Sequence, residues 1–135
     1  MKKNCFALVL LFISINTFSI NKLVIKYTDI ERETPFDISC DDLDDINWAE
    51  EYIIFNKKEI KSVYKEIKKA NNIIPVYEGI DARIKFLFYR KSKVEKYCMD
   101  FFYIKGENFT YEVTDKFRDF ITDFVESKKQ TLYKK

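Results

Sequence analysis

The stretch FDISCDDLDD, Phe36 to Asp45, places Cys40 directly ahead of Asp41, Asp42, Asp44 and Asp45. Clustered carboxylates beside a thiol are metal-ligand chemistry, so a calcium loop is the first reading to test. An EF-hand needs D-x-[DN]-x-[DN]-G and a glutamate at its twelfth position. Counted from Asp42, position five is Ile46, position six Asn47 and position twelve Ile53, so the pattern fails. The four aspartates remain a loose calcium candidate. Acids gathered at the start of a short helical turn explain them more simply. With no histidine in the chain, two thiols and carboxylates make a poor zinc set. No metal site and no cofactor is expected.

The same absence removes Ser-His and Cys-His nucleophile–base pairs. A carboxylate pair could still hydrolyse a glycosidic bond, but with 22 acidic residues some pair is inevitable and no spacing selects one. The compact polar cluster Glu78, Asp81 and Arg83 in YEGIDAR reads as a turn entering a strand, with a surface ion pair. Only Gly79 and Gly106 are present, so no glycine-rich phosphate loop exists.

Cysteine usage depends on the N-terminus. Lys2 and Lys3, the apolar run Cys5 to Ile15, and the small residues Thr17 and Ser19 have the form of a secretory signal peptide. The expected organisation is residues 1–19 removed and 20–135 as a single domain. The apolar run is about half of what a membrane span needs, so no permanent membrane anchor is expected. Cleavage leaves Cys40 and Cys98, an even pair in an exported chain, and the simplest reading is one disulfide. The net charge of +2 loses Lys2 and Lys3 and becomes zero. That charge is segregated. Residues 29–51 carry ten acids against Arg32 alone, while from Tyr52 onward nineteen bases face twelve acids.

The elements that must position these groups follow from periodicity. NKLVIKYTDI (Asn21 to Ile30) predicts a first strand, TPFDISC a short extended piece, and YIIF (Tyr52 to Phe55) another strand. Ile60, Val63, Tyr64 and Ile67 mark an amphipathic helix over Lys57–Ala70, capped by Asn56 and ended by Asn71, Asn72 and Pro75. Lys57, Lys61, Lys65 and Lys68 form a ridge on it that could meet an anion, although a solvated helix face is the plainer reading. RIKFLFYR (Arg83 to Arg90) and VEKYCMDFFYIK (Val94 to Lys105) predict a hairpin turning at Ser92 and Lys93. Opposing Arg90 to Glu95 and Lys85 to Asp100 sets Ile84, Phe86 and Phe88 across from Phe101, Met99 and Tyr97. Cys98 then opposes Leu87 on the other face, beside Lys85, Tyr89 and Lys96. A staple from Cys40 would pin the acidic segment over that face.

Tyr97, Phe101 and Tyr103 could form an aromatic platform, though aromatics at strand period are more often core. Phe109 to Val113 is a further strand, placing Tyr111 and Val113 on the face of Tyr103 and Phe101. Thr114 caps a last helix over Asp115–Ser127. Asn108-Phe109-Thr110 is a glycosylation sequon whose use the sequence leaves open. The fold class is therefore α+β: a mainly antiparallel sheet of about four to five strands, two amphipathic helices and one disulfide. The series from the apolar leader through TPFDISC, YIIFNKKEI and IDARIKFLFYR to a cysteine-bearing aromatic strand and a final helix resembles small exported proteins of AT-rich bacteria. That resemblance implies no activity and no site residue. The expectation is an exported, periplasmic or secreted binding module for a protein or envelope component, with no nucleic-acid partner. The alternatives are a secreted carboxylate hydrolase, and an anion or nucleic-acid binder working through the lysine ridge.

Overall fold

A computed structural model describes residues 19–70, 73–74 and 79–133. The expected signal peptide, residues 1–18 of it, lies outside the described residues, as do Glu78 and the helix-ending Asn71, Asn72 and Pro75. In chain order the elements are β1 (Lys22–Tyr27), a 3-10 turn (Asp42–Asp44), β2 (Glu50–Ile54), α1 (Lys57–Lys68), β3 (Ile73–Ile74), β4 (Ile84–Tyr89), β5 (Val94–Met99), β6 (Tyr103–Lys105), β7 (Thr110–Glu112) and α2 (Asp115–Tyr133). The strands form one sheet of seven in the order β2-β1-β4-β5-β6-β7-β3. All its pairings are antiparallel.

Both helices cover one face. Ile60, Val63 and Ile67 of α1 and Phe117, Ile121 and Val125 of α2 join Leu23, Ile25, Phe86, Phe88, Met99 and Ile104 in one buried core. Their starts were legible because caps are local chemistry. The Asn56 side chain accepts the N–H groups of Lys58 and Glu59, and the Thr114 hydroxyl accepts that of Phe117 at 3.2 Å. Glu59 then pairs with Lys128 at 2.5 Å, tying α1 to α2. The expected end of the last helix at Ser127 falls short. Helix continues to Tyr133, supported by the Glu126–Lys129 pair at 3.0 Å one turn apart.

The strand count of four to five is too low, for two reasons. First, Val94 to Lys105 is not one strand. The Asp100 carboxylate accepts the N–H groups of Phe102 at 2.7 Å and Tyr103 at 2.6 Å. This aspartate turn folds the chain back, so β6 pairs with β5. Second, β3 is a two-residue strand added to β7, too short to show a period. TPFDISC forms no strand. It still pairs locally, because the Ile38 carbonyl accepts the Ala82 N–H at 2.7 Å.

The β4–β5 register also differs from expectation. Ile84 faces Met99, Lys85 faces Cys98, Phe86 faces Tyr97 and Phe88 faces Glu95. The Arg90 N–H donates to the Lys93 carbonyl at 2.8 Å, so the turn centres on Lys91 and Ser92, one residue earlier than read. Moving a hairpin turn by one residue shifts the pairing by two, and a shift of two preserves which face each side chain takes. The apolar face and the placement of Cys98 opposite to it therefore survive the error. Tyr111 and Val113 also keep to the helix-covered apolar face with Phe101, but Tyr103, expected beside them, pairs with Glu112 on the other face.

Candidate functional site

The face of the sheet away from the helices is covered only in part. The cover is the acidic segment. Ile38 and Leu43 pack with Ala82 and Cys98 into a second, smaller core, flanked by Cys40, Ile46, Trp48 and Ile80. Cys40 and Cys98 stand at disulfide distance, their Cα atoms 5.8 Å apart. Three lysines projecting from the sheet hold the aspartates above it. Asp44 receives Lys85 at 2.8 Å and Lys26 at 3.0 Å, and Asp41 receives Lys96 at 2.9 Å. Asp42 hydrogen-bonds the Ser39 hydroxyl at 2.6 Å, and Asp45 is exposed. Among the described residues, no group of three or more His, Cys, Asp or Glu is placed to hold a metal ion.

These contacts set the electrostatics. The hydrogen bond and charge of Lys96 hold the Asp41 carboxyl below its ordinary value of 3.8. Partial burial pushes Asp44 upward, but Lys85 and Lys26 outweigh it and its carboxyl is also lowered. A group lowered on folding adds stability above its unfolded value and loses it as pH falls through the folded one. Asp100 behaves oppositely: burial raises it despite the N–H bonds of Tyr103 and Phe102. Its contribution is present at acid pH and fades as pH rises through the raised value. Acidification from about pH 5 to about pH 2 should therefore release the cover before the sheet. Amide exchange, corrected for intrinsic rate, should accelerate over residues 38–46 while β4 and β5 stay protected. An equal loss of protection in both regions would refute this account.

Beyond the cover the outer face is open. The pairings place Ile53, Val24, Leu87 and Lys96 in one row across β2, β1, β4 and β5, and Lys22, Tyr89 and Val94 in the next. Alternation along the chain brings Phe55, just past β2, to the same side as Ile53. These eight positions are six apolar residues and two lysines, with no acid among them. Phe55 is 68%, Ile53 54% and Val94 47% exposed. The Lys22 ammonium lies over the Tyr89 ring at 4.0 Å. Where the open part meets the cover, a hollow of about 590 Å³ is lined by Cys40, Cys98 and Val94, by Lys93, Lys96 and Lys105, and by the acids Asp41 and Glu107. An apolar shelf thus runs into a hollow of mixed charge beside the cysteine pair, where Lys96 is already held by Asp41. Sequence reasoning missed this shelf. The signal was there: Val24 and Leu87 are apolar at outward positions of central strands whose inward positions are apolar too.

Of the other expected site residues, the aromatic platform disperses and the lysines stay together on α1. Lys57, Lys61, Lys65 and Lys68 are all exposed there, and the Lys68 ammonium lies 5.2 Å from the Tyr64 ring and 5.4 Å from the Tyr97 ring. Burial lowers Lys68, yet its hydrogen bond with Tyr97 prevails and the net shift is upward. Tyr97 is buried beneath the helices, Tyr103 is on the opposite face, and Phe101 sits in the turn with the Arg118 guanidinium 3.8 Å over its ring. The turn at Asp100 separates the three.

Two further hollows bear on the hydrolase alternative. One of about 600 Å³ lies between the end of β1 and α2, with Asp29, Glu50, Asp119, Asp123 and Glu126 on its walls. The other, about 380 Å³, holds Asp81, Asp100, Arg83 and Phe102. Its carboxylates are already used: Asp100 in its turn, and Asp81 by the Ile38 N–H at 2.8 Å and the Arg83 guanidinium at 2.5 Å. Among the described residues no helix is long and apolar enough to cross a membrane. No protein-family model, curated protein or solved structure matches the chain.

Proposed function

We propose that this is a small exported, disulfide-stapled binding module, and that its partner is a protein presenting an apolar segment flanked by acidic residues. The observation that carries the reading is the open part of the outer sheet face, where Ile53, Phe55 and Val94 are exposed and Leu87 and Tyr89 partly so, around a buried Val24. Contiguous apolar surface of this kind marks an interaction site, and Lys22, Lys93 and Lys105 favour an acidic rim on whatever covers it. Export is supported by the basic and apolar leader and by the cysteine pair at disulfide distance. Cleavage after Ser19 would leave Ile20, which is fully buried, as the first residue of the core.

A photoreactive residue at Val94 should cross-link to another exported protein through an acidic, apolar-centred peptide, whereas one at Asp119 on α2 should not. Val94→Glu should weaken that interaction at least about tenfold, through lost apolar contact and reversed charge preference. Equal cross-linking from both positions would refute the site. Retention on anionic lipid vesicles instead of a protein would refute the partner. Intact-mass measurement of the mature chain should give an N-terminus near Ile20 and no free thiol.

A further inference from the structure

A different feature of the fold points to a second copy of this chain. β2 is an edge strand, paired with β1 on one side only. Such an edge is a template for another strand unless charge or a bulge protects it. The sequence from Glu50 runs EEYIIFNKK: two acids, an apolar centre, and two lysines at Lys57 and Lys58. Tyr52 and Ile54 are buried beneath the helices, while Glu50, Glu51, Ile53 and Phe55 are exposed.

This order of charges is self-complementary when reversed. A two-fold axis perpendicular to the sheet keeps the helix-covered faces together and the outer faces together. Residues that oppose across it must then both be even-numbered or both odd-numbered. Centring the axis on Ile54 opposes Ile54 to its own copy and Ile53 to Phe55. The Glu50–Glu51 end then runs toward the first turn of α1 in the other chain, which begins at Lys57 and Lys58. Centring it on Ile53 would set Glu51 against Phe55 and lose the charge match. We infer that β2 pairs antiparallel with the β2 of a second copy about Ile54, forming one continuous sheet of two times seven strands. The exposed Ile53 and Phe55 of each chain cover one another, and the acids of each chain face the lysine-bearing start of the other's α1. This pairing takes Ile53 and Phe55 out of the shelf and leaves Leu87, Tyr89 and Val94 to the proposed partner, so cross-linking from Val94 and the oligomeric state read the two proposals separately.

Charge exchange tests it. The mature, oxidised chain should sediment as a dimer with a concentration-dependent monomer fraction. Glu50→Lys with Glu51→Lys gathers four lysine-bearing positions at the edge, and Lys57→Glu with Lys58→Glu gathers four acids. Each double variant alone should raise the dimer dissociation constant at least about tenfold. An equimolar mixture of the two should re-form a dimer containing one chain of each, seen by native mass spectrometry. Circular dichroism melting of each double variant checks that it folds. Where one fails to fold, Ile53→Pro in the wild-type background serves instead: alternation from the Leu23–Ile54 pair points the Ile53 N–H outward from the open edge, so its loss spares the β1 ladder and should leave only monomer. A wild-type monomer at all accessible concentrations, dimers unaffected by either exchange, or folded variants that do not combine on mixing would each overturn the inference.

Discussion

Cys98→Ser should destabilise the oxidised protein by about 2–4 kcal/mol, read as a fall in the denaturant midpoint at unchanged slope. The two cysteines are 58 residues apart in sequence. Constraining an unfolded loop of that length is worth about 4 kcal/mol at 25 °C in the chain-entropy picture, an upper figure because unfolded chains retain structure. Cys98 is 2% exposed, so the serine hydroxyl would also need a partner in a site built for sulfur. Reduced wild-type protein should fall by a similar amount, since breaking the cross-link frees the same loop. The loss should be felt unevenly. Ile38 and Leu43 hold the cover to Ala82 and Cys98 through a small apolar cluster, whereas β1, β4 and β5 carry the main core. Exchange should rise first over residues 38–46, and the hollow beside Cys40 should open. A loss below about 0.5 kcal/mol would show that the two cysteines are not joined in solution.

How far the sequence could be read depended on the range of the interaction that decides each feature. Helix starts were legible because Asn56 and Thr114 act on N–H groups two or three residues away. The choice of face for β4 and β5 was legible because it has period two, and it survived a turn misplaced by one residue at Lys91 and Ser92, whereas Tyr103 of β6 changed face beyond the break at Asp100. The break at Asp100 was not. MDFFY is an unbroken β-prone run apart from one aspartate, and only tertiary pairing reveals that this side chain ends the strand. The closure of β3 on β7 involves two residues, beneath any periodic signal. In the candidate site, the acidic cover was foreseen from charge segregation and the parity of Cys98. Which lysine meets which aspartate was not, because Lys26, Lys85 and Asp44 lie on three separate segments. The open shelf went unread for a related reason. An outward apolar residue such as Leu87 is ordinary alone, and becomes a surface only beside Val24, Ile53 and Val94.

The cover's main ion pair should respond asymmetrically to loss of its two partners. The Lys85 side chain is 4% exposed and that of Asp44 45%. Lys85 lies between Lys26 on β1 and Cys98 on β5, so its ammonium has a like charge beside it and little water. Asp44→Ala strands that ammonium. Removing one partner of a fully buried pair costs about 3–5 kcal/mol, and the half-exposed acid lowers the expectation here to about 2–3 kcal/mol. Lys85→Met removes the buried charge itself and puts an apolar chain of similar length in its place. Asp44 then keeps Lys26 at 3.0 Å and its contact with water, so the cost should stay below about 1 kcal/mol. The double variant Asp44→Ala, Lys85→Met should be more stable than Asp44→Ala alone, a coupling visible in a double-mutant cycle by chemical denaturation. Equal losses from the two single variants would mean that Lys85 finds solvent or another acid once Asp44 is gone. In that case the aspartates rest on the sheet without anchoring it, and the cysteine pair with the Ile38–Leu43 cluster would hold the acidic segment in place.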